Sequence, residues 1–323
     1  MSTLFDWGQA SGQIEIKTTT SWEVSVASRV GRLSGSVVQR RALTRRAILI
    51  GASSTLAAPS TIRAEQPFRF GLTPVFLTSD LELLEALQHY LSAAMNIQVQ
   101  LVLKRTYQEI TSQLISGLLD AAWICGFPFV AYRRELELVA IPVWRGKPNY
   151  QSYLLVSSNR DASSIADLRG DIHAFSDPDS NSGYLVTRAL LAERRAKPQD
   201  FFRRTFFTYG HRNVVRAVAA GLAQSGSVDG YVWEVMTETE PELTLQTRPA
   251  WRSPWMGFPP IATSVGNGRN DGIVRLRRAL IDMPADQTGR DVLGLLRLDG
   301  FTPGDPALFD SIASRVDLVR ALG

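Results

Sequence analysis

Short runs of alternating apolar and polar residues, separated by stretches with helical spacing, predict an α/β fold from residue 68 onward. The strand-like runs of the first half are FRFGLTP (68–74), IQVQLVLK (97–104), AAWICG (121–126) and ELELVAIPVW (135–144). The helix-like stretches between them are SDLELLEALQHYLSAAM (79–95), with Ser79 or Asp80 as its cap, and YQEITSQLISGLLD (107–120). Strand and helix in alternation favour right-handed crossovers and a largely parallel sheet.

The second half of the chain continues this alternation. Its strand-like runs are SYLLVSSN (152–159), DIHAFSD (171–177), FFRRTFFTY (201–209), SVDGYVWE (227–234) and PPIATSV (259–265). Its helix-like stretches are SIADLRG (164–170), SGYLVTRALLAERRA (182–196), HRNVVRAVAAGLA (211–223), GIVRLRRALIDM (272–283), RDVLGLLRLDG (290–300) and a final helix within 305–322. A second α/β unit therefore begins near residue 158.

Length and charge refine this picture. The chain has 323 residues, 45% of them hydrophobic, which is enough for about two domains with cores of their own. The formal net charge is +4, but residues 1–64 hold 8 of the 35 Lys and Arg and only 3 of the 31 Asp and Glu. The rest of the chain carries 27 basic and 28 acidic residues. We therefore do not expect a basic face that binds nucleic acid.

The basic leader has the layout of an export signal. Arg45 and Arg46 precede an apolar run of small residues from Ala47 to Ala58, and Ala64 offers a small residue for cleavage. The adjacent arginines predict the twin-arginine route to the periplasm, and the apolar run is too short to span a bilayer. Residues 1–39 are long for the front of such a signal, so translation either starts later, at Val37 or Val38, or the extension is real.

Motifs for several kinds of chemistry are missing from the sequence. One cysteine, Cys125, excludes an intrachain disulfide, and its apolar neighbours favour a buried structural thiol. No dinucleotide fingerprint or phosphate loop is present, and three histidines with one cysteine give no metal-ligand spacing. We therefore expect no cofactor.

Polar residues follow three successive predicted strands of the second unit. Ser180, Asn181 and Ser182 lie between a strand and a helix, where unpaired backbone N–H groups and the helix dipole favour an anion. His211 begins the next helix, and Trp233 with Glu234 ends the next predicted strand. Because ligands collect at the carboxyl ends of strands in open α/β sheets, the sequence predicts an anion site there. Simple capping by Ser180 or Ser182 is the alternative.

FSDPDSNSGYLVTRALL (175–191) and its flanking segments resemble the phosphate/phosphonate-type periplasmic substrate-binding proteins of ABC transporters. The likeness extends over most of residues 66–280 and includes LISGLLDAAWICGFPFVAY (114–132). The resemblance implies two type II-like α/β lobes, each with a mainly parallel sheet, joined by hinge strands at 152–159 and 259–265. The lobes predicted are 65–157 with 251–323, and 158–250, preceded by the leader at 1–64.

The resemblance assigns the anionic head group to the 180–183 segment and His211, with Glu234 placed for a ligand amine. The candidate ligand-binding residues are Ser180, Asn181, Ser182, Gly183, Tyr184, His211, Trp233, Glu234, Tyr107, Phe127, Thr73, Pro74 and Trp255. Asn181 stands where family members commonly have threonine. The return loop RSPWMGFPP (252–260) lacks the second acidic residue expected there and has Trp255 and Phe258 instead, which favours a smaller oxyanion, or a ligand with an apolar or aromatic tail, over an aminoalkyl-phosphonate.

The predicted function is capture of a small anionic solute in a cleft that closes around it, followed by delivery to an ABC permease by a monomeric protein. Two alternatives remain open at this point. One is a hydrolase on the same fold, with Ser182, His211 and Asp229 as a possible triad, although the G-x-S-x-G elbow is missing. The other is a subunit that signals ligand binding to a receptor.

Overall fold

The computed structural model of the chain describes residues 66–75 and 80–322. The predicted leader, its export signal and the capping candidate Ser79 lie outside the described residues. The strands are β1 (Phe68–Leu72), β2 (Val99–Leu103), β3 (Ala121–Trp123), β4 (Leu136–Val143), β5 (Asn149–Tyr150), β6 (Ser152–Ser157), β7 (Ile172–Phe175), β8 (Arg204–Phe207), β9 (Ser225–Asp229), β10 (Thr247–Arg252), β11 (Met256–Gly257), β12 (Ile261–Ser264) and β13 (Gly300–Thr302).

The helices surround these strands. They are α1 (Leu81–Met95), α2 (Tyr107–Ile115), α3 (Gly126–Ala131), α4 (Val186–Ala192), α5 (Pro198–Phe201), α6 (His211–Ala219), α7 (Gly230–Thr239), α8 (Pro241–Thr244), α9 (Asp271–Asp282), α10 (Gln287–Leu296) and α11 (Asp310–Leu322). A wide π-type turn, Asn181–Leu185, leads directly into α4, and 3₁₀ turns occur at Ile165–Leu168, Met283–Ala285 and Pro306–Phe309.

Two mixed sheets form the centres of two lobes, as the sequence predicted for the fold class. The first sheet has the order β13-β4-β12-β3-β1-β2 and the second has the order β10-β6-β9-β7-β8. Strands β1 and β7 pair in parallel with both of their neighbours, whereas β12 and β6 pair antiparallel with theirs. The sheets are less parallel than predicted because β12 returns from the second lobe and inserts between β3 and β4 in the opposite direction.

The chain crosses between the lobes at a short ribbon. Strands β5 and β11 pair antiparallel with each other, Tyr150 opposite Met256 and Asn149 opposite Gly257. The segments predicted as hinge strands lie inside the sheets instead: β6 pairs with β9 and β10, and β12 pairs with β3 and β4. Both connections between the lobes therefore run through the β5–β11 ribbon.

Element ends differ from the predicted ones where the backbone turns left-handed. The helix predicted over 290–300 ends at Leu296, because Arg297 has φ 55° and the chain turns there toward β13. The α2 helix ends at Ile115, two residues before Gly117 with φ 71°. Asp80 caps α1 by accepting from the Leu83 N–H (3.4 Å).

Helices cover both sheets and bury the apolar strand faces. The C-terminal helix α11 packs against α3 of the first lobe and α4 of the second. Within residues 66–75 and 80–322, no helix combines the length and apolarity needed to cross a membrane.

Candidate functional site

The start of the helix that follows β7 is built from small residues. Ser180 Oγ accepts from the Gly183 N–H (3.0 Å), and the Ser180 carbonyl accepts from the Leu185 N–H (3.0 Å) across the wide first turn. A Cβ on Gly183 would lie 1.8 Å from Ser176 Oγ. Glycine is therefore required for this turn to pack against the end of β7.

Several buried polar atoms at this helix start have no hydrogen-bond partner among the described residues. They are Ser176 Oγ, Asn181 Oδ1 and Ser182 Oγ, all in residues no more than 1% exposed. An unsatisfied buried polar group costs about 1–3 kcal/mol. Three such groups at one helix start therefore indicate a place where a polar ligand completes the hydrogen bonding.

The first lobe and the ribbon enclose the helix start. The backbone N–H of Asn181 donates to Cys125 Sγ (3.1 Å), and its side-chain amide donates to the Tyr150 hydroxyl (2.8 Å). The Tyr107 N–H donates across the cleft to Asp177 Oδ2 (3.3 Å). The lobes are thus closed around these groups.

The imidazole of His211 is oriented by a backbone group. The Asp229 N–H donates to Nδ1 (3.1 Å), so Nδ1 is an acceptor and the neutral ring carries its proton on Nε2. Nε2 lies 3.1 Å from the Tyr107 hydroxyl and donates to it. The Tyr107 proton is consequently free to be donated to a third group in the cleft.

Burial favours the neutral form of the ionisable groups in the cluster. It lowers the pKa of His211 to about 3, raises that of Cys125 to about 12, and raises that of Asp229 to about 7. Burial also raises the pKa of Tyr107 far above its usual range. An anion here would be held by neutral hydroxyl and amide donors and by the helix end rather than by a cationic side chain.

The possible Ser182–His211–Asp229 triad is not assembled. Both nitrogens of His211 are engaged, one by the Asp229 backbone and the other by Tyr107. The Asp229 carboxylate instead accepts from the Tyr231 N–H (2.9 Å) and caps α7. Within the described ranges, no group of three or more His, Cys, Asp or Glu is placed to hold a metal ion.

Other predicted residues lie around the cluster. Thr73 Oγ1 donates to the Trp123 carbonyl (3.2 Å), Pro74 lines a neighbouring cavity, and Phe127 packs half-buried against the core. Tyr184 turns away: its ring packs on Phe175 (4.9 Å between ring centroids), outside the cluster.

Trp233, Glu234 and Trp255 occupy different surroundings. Trp233 Nε1 donates to Thr247 (3.0 Å), and Glu234 pairs with Arg145 (3.2 Å). Strand β9 ends at Asp229 and α7 begins at Gly230, so the predicted strand over 227–234 is helical where these two residues lie. Trp255 is 49% exposed, beside Trp144. We leave these three residues and Tyr184 out of the proposed site.

Sequence reasoning missed three members of the cluster, Ser176, Asp177 and Tyr150, and also the contact made by Cys125. Ser176, Asp177 and Cys125 follow the ends of strands β7 and β3, which is a signal the strand pattern offered. Tyr150 lies in the ribbon, which precedes the strand predicted over 152–159 and was not itself predicted.

Comparison with known proteins agrees with this architecture. A family model described as "ABC transporter, phosphonate, periplasmic substrate-binding protein" matches residues 70–309. The fold is similar to a binding protein component of an ABC phosphonate transporter from Pseudomonas aeruginosa, with TM-score 0.73, 23% identity, and coverage of 80% of this chain and 88% of that one. It is also similar to PhnD1 from Prochlorococcus marinus in complex with methylphosphonate, with TM-score 0.70, 17% identity, and coverage of 79% and 97%.

A third similar structure is a Xanthomonas citri protein bound to ATP, with TM-score 0.64, 18% identity, and coverage of 80% and 99%. At these identities the structures establish the shared two-lobed fold, while the family model matches most of the chain. The chain therefore belongs to the family of periplasmic substrate-binding proteins of ABC phosphonate transporters.

Proposed function

We propose that this chain binds the phosphonate or similar oxyanion group of a small solute at the helix start formed by Ser180, Asn181 and Ser182. The observation that carries the proposal is the pair of buried, unpartnered hydroxyls there, Ser176 Oγ and Ser182 Oγ, both of which can donate to an oxyanion. The free hydroxyl proton of Tyr107 adds a donor from the opposite lobe.

Neutral donors suit an oxyanion in a water-excluded cleft. Hydroxyl and backbone N–H groups fixed at a helix start donate to several oxygens at once, and low local polarity strengthens each bond. Methylphosphonate, the ligand in the PhnD1 complex, is the first solute to test. The contacts of Glu234 favour a solute whose tail has no amine, because its carboxylate already pairs with Arg145 and accepts a hydrogen bond from the Tyr153 hydroxyl (2.9 Å).

Closure of the two lobes links this capture to transport. Bonds from Asn181 to Cys125 and from Tyr107 to Asp177 join the two lobes in this closed form. A ligand that adds bonds to the closed form shifts the population toward it by its differential affinity. We propose that a membrane permease takes the solute from this closed form.

The export route and oligomeric state complete the proposal. Arg45 and Arg46 direct export by the twin-arginine route, and the mature protein acts as a monomer. Replacing both arginines by lysine is expected to retain the protein in the cytoplasm of a producing cell. Size-exclusion chromatography with light scattering is expected to give a single-chain mass with and without methylphosphonate.

Paired serine substitutions test the binding site. Ser182→Ala is expected to weaken methylphosphonate binding about tenfold, since one donor to the anion is lost. It is expected to raise the free energy of unfolding of the free protein by about 1–3 kcal/mol, because a buried hydroxyl without a partner is removed. Titration calorimetry and chemical denaturation measure the two effects.

Ser180→Ala is the matched comparison. It removes the cap to Gly183 N–H and is expected to lower the free energy of unfolding by about 1 kcal/mol. If Ser182→Ala destabilises the free protein as Ser180→Ala does and leaves methylphosphonate affinity intact, the helix start is a capping motif and the proposed site is wrong.

A further inference from the structure

A cavity of about 890 Å³ opens on the outer side of the cluster. One wall comes from the first lobe, at the ends of β1 and β2, and the other from the loop between β8 and α6 of the second lobe. His211 forms part of its lining, while its Nε2 contacts Tyr107 in the proposed anion site. A single side chain, His211, therefore lies between the cavity and the proposed site.

Three basic residues line this cavity: Lys104, Arg105 and Arg212. Arg212 pairs with Glu240 (3.1 Å), whose carboxylate Arg216 also contacts (2.8 Å). Lys104 and Arg105 form no side-chain hydrogen bond or ion pair with another described residue. Two cations on one wall are thus available to a ligand.

One acidic residue, Glu109, also lines the cavity, and its charge acts on Lys104. Glu109 Oε2 accepts from the Arg105 and Thr106 backbone N–H groups (3.1 and 3.0 Å) and from the Thr106 hydroxyl (3.1 Å). This carboxylate is thus engaged in the capping box of α2, and these bonds lower its pKa.

The opposite wall is held in a fixed shape. Thr208 Oγ1 donates to the Gly210 carbonyl (2.9 Å), and the Asn213 amide donates to the Thr208 carbonyl (3.1 Å). Between them Tyr209 adopts φ 53°, a conformation uncommon for a bulky residue, with its side chain 49% exposed at the cavity. Residues in such conformations concentrate at ligand-binding positions.

We infer that this cavity receives the tail of the bound solute and that the tail carries a second anionic group, which Lys104 and Arg105 contact. The ligand class is thus a phosphonate bearing a carboxylate or a second phosphoryl group. The inference rests on the proposed function, since it requires the first anionic group to occupy the Ser180–Ser182 helix start. A cationic tail is disfavoured by the same two side chains.

Calorimetry with phosphonoacetate, methylphosphonate and 2-aminoethylphosphonate tests the inference. Wild-type protein is expected to bind phosphonoacetate most tightly of the three. A Lys104→Gln/Arg105→Gln variant is expected to lose about tenfold in phosphonoacetate affinity and less than about twofold in methylphosphonate affinity.

Arg133→Gln/Arg134→Gln is the matched control. This variant also removes two positive charges, but from exposed positions that line a separate cavity. It therefore reports long-range electrostatics alone, and we expect it to change the affinities for phosphonoacetate and methylphosphonate slightly and equally. Equal losses for both ligands in the Lys104/Arg105 variant would overturn the inference while the proposed function stands. Absence of binding by all three phosphonates would overturn both.

Discussion

At the scale of single residues, the protonation of His211 decides how the cleft presents its donors. The Asp229 N–H fixes Nδ1 as an acceptor, and the Nε2 proton then goes to the Tyr107 oxygen. If the ring gained a second proton, Nδ1 would face the Asp229 N–H as a donor. The neutral ring is therefore part of the architecture, in agreement with its lowered pKa of about 3.

We predict that His211 stays in the neutral Nε2–H tautomer from pH 8 down to pH 5. Long-range ¹H–¹⁵N spectra of the imidazole nitrogens measure this directly, with the His211→Gln variant used to assign the resonances. The chain contains three histidines, so the spectra are simple. A His211 ring that titrates between pH 5 and pH 7 contradicts the hydrogen-bond assignment.

At the scale of elements, the wide turn before α4 depends on a glycine packed against β7. A methyl group on Gly183 would overlap Ser176 Oγ and approach Ser176 Cβ to 2.7 Å. To relieve this overlap, the helix start would have to move away from the end of β7. That movement would separate the unpartnered atoms of the proposed site from one another.

Gly183→Ala is predicted to lower the free energy of unfolding by about 1–3 kcal/mol and to abolish methylphosphonate binding. Gly294→Ala is the control, since a Cβ on this exposed residue of α10 meets no atom within 4 Å. It is expected to stabilise the protein by up to about 1 kcal/mol, because alanine is the better helix former. Denaturant unfolding and calorimetry of both variants measure these effects; equal stabilities contradict the packing described for Gly183.

The elements also show how far the sequence predicted this molecule. The two α/β units, the helix start at Ser180–Ser182 and the position of His211 were predictable, because strand alternation and helix-start residues are local signals. The insertion of β12 between β3 and β4 was not predictable, because it depends on pairing between residues more than a hundred positions apart. Trp233 and Glu234 were misplaced for a local reason: VDGYVWE contains β-favouring residues, but Asp229 caps a helix that begins at Gly230.

At the scale of the whole molecule, a second buried histidine couples stability to pH. His173 Nδ1 and Nε2 lie 2.8 Å from the hydroxyls of Ser225 and Ser227, and the ring stacks on Phe202. Burial lowers its pKa from 6.5 to about 3. Below pH 6.5 the imidazole of His173 therefore binds a proton in the unfolded chain but stays unprotonated in the folded protein. The stability contributed by neutral His173 is fully present above pH 6.5 and is lost as pH falls toward 3.

Asp229 acts in the opposite direction. Burial raises the pKa of the Asp229 carboxyl to about 7 in the folded protein. The stability that this group contributes is therefore fully present below the pKa it has in the unfolded chain, and it is lost as the pH rises through 7. Because the two effects oppose each other in the wild-type protein, the contribution of His173 is best measured against a variant.

His173→Gln keeps a polar side chain between Ser225 and Ser227 and removes the titrating ring. Relative to wild type, this variant is predicted to gain about 2 kcal/mol as pH is lowered from 7 to 5, measured by urea unfolding at each pH. The exposed His89 supplies the control substitution His89→Gln. Parallel pH curves for wild type and His173→Gln would show that His173 accepts a proton in the folded state.

The β5–β11 ribbon has a mechanical consequence. Because both chain crossings pair side by side there, a rotation of one lobe against the other would turn about this ribbon, and Tyr150, in the ribbon itself, holds Asn181 of the proposed site. A head group in that site would lie beside the axis, while Lys104 and Tyr209 line the cavity from the two lobes. A solute tail that contacts both walls of the cavity would therefore tie the lobes together, whereas the head group would anchor the solute at the axis.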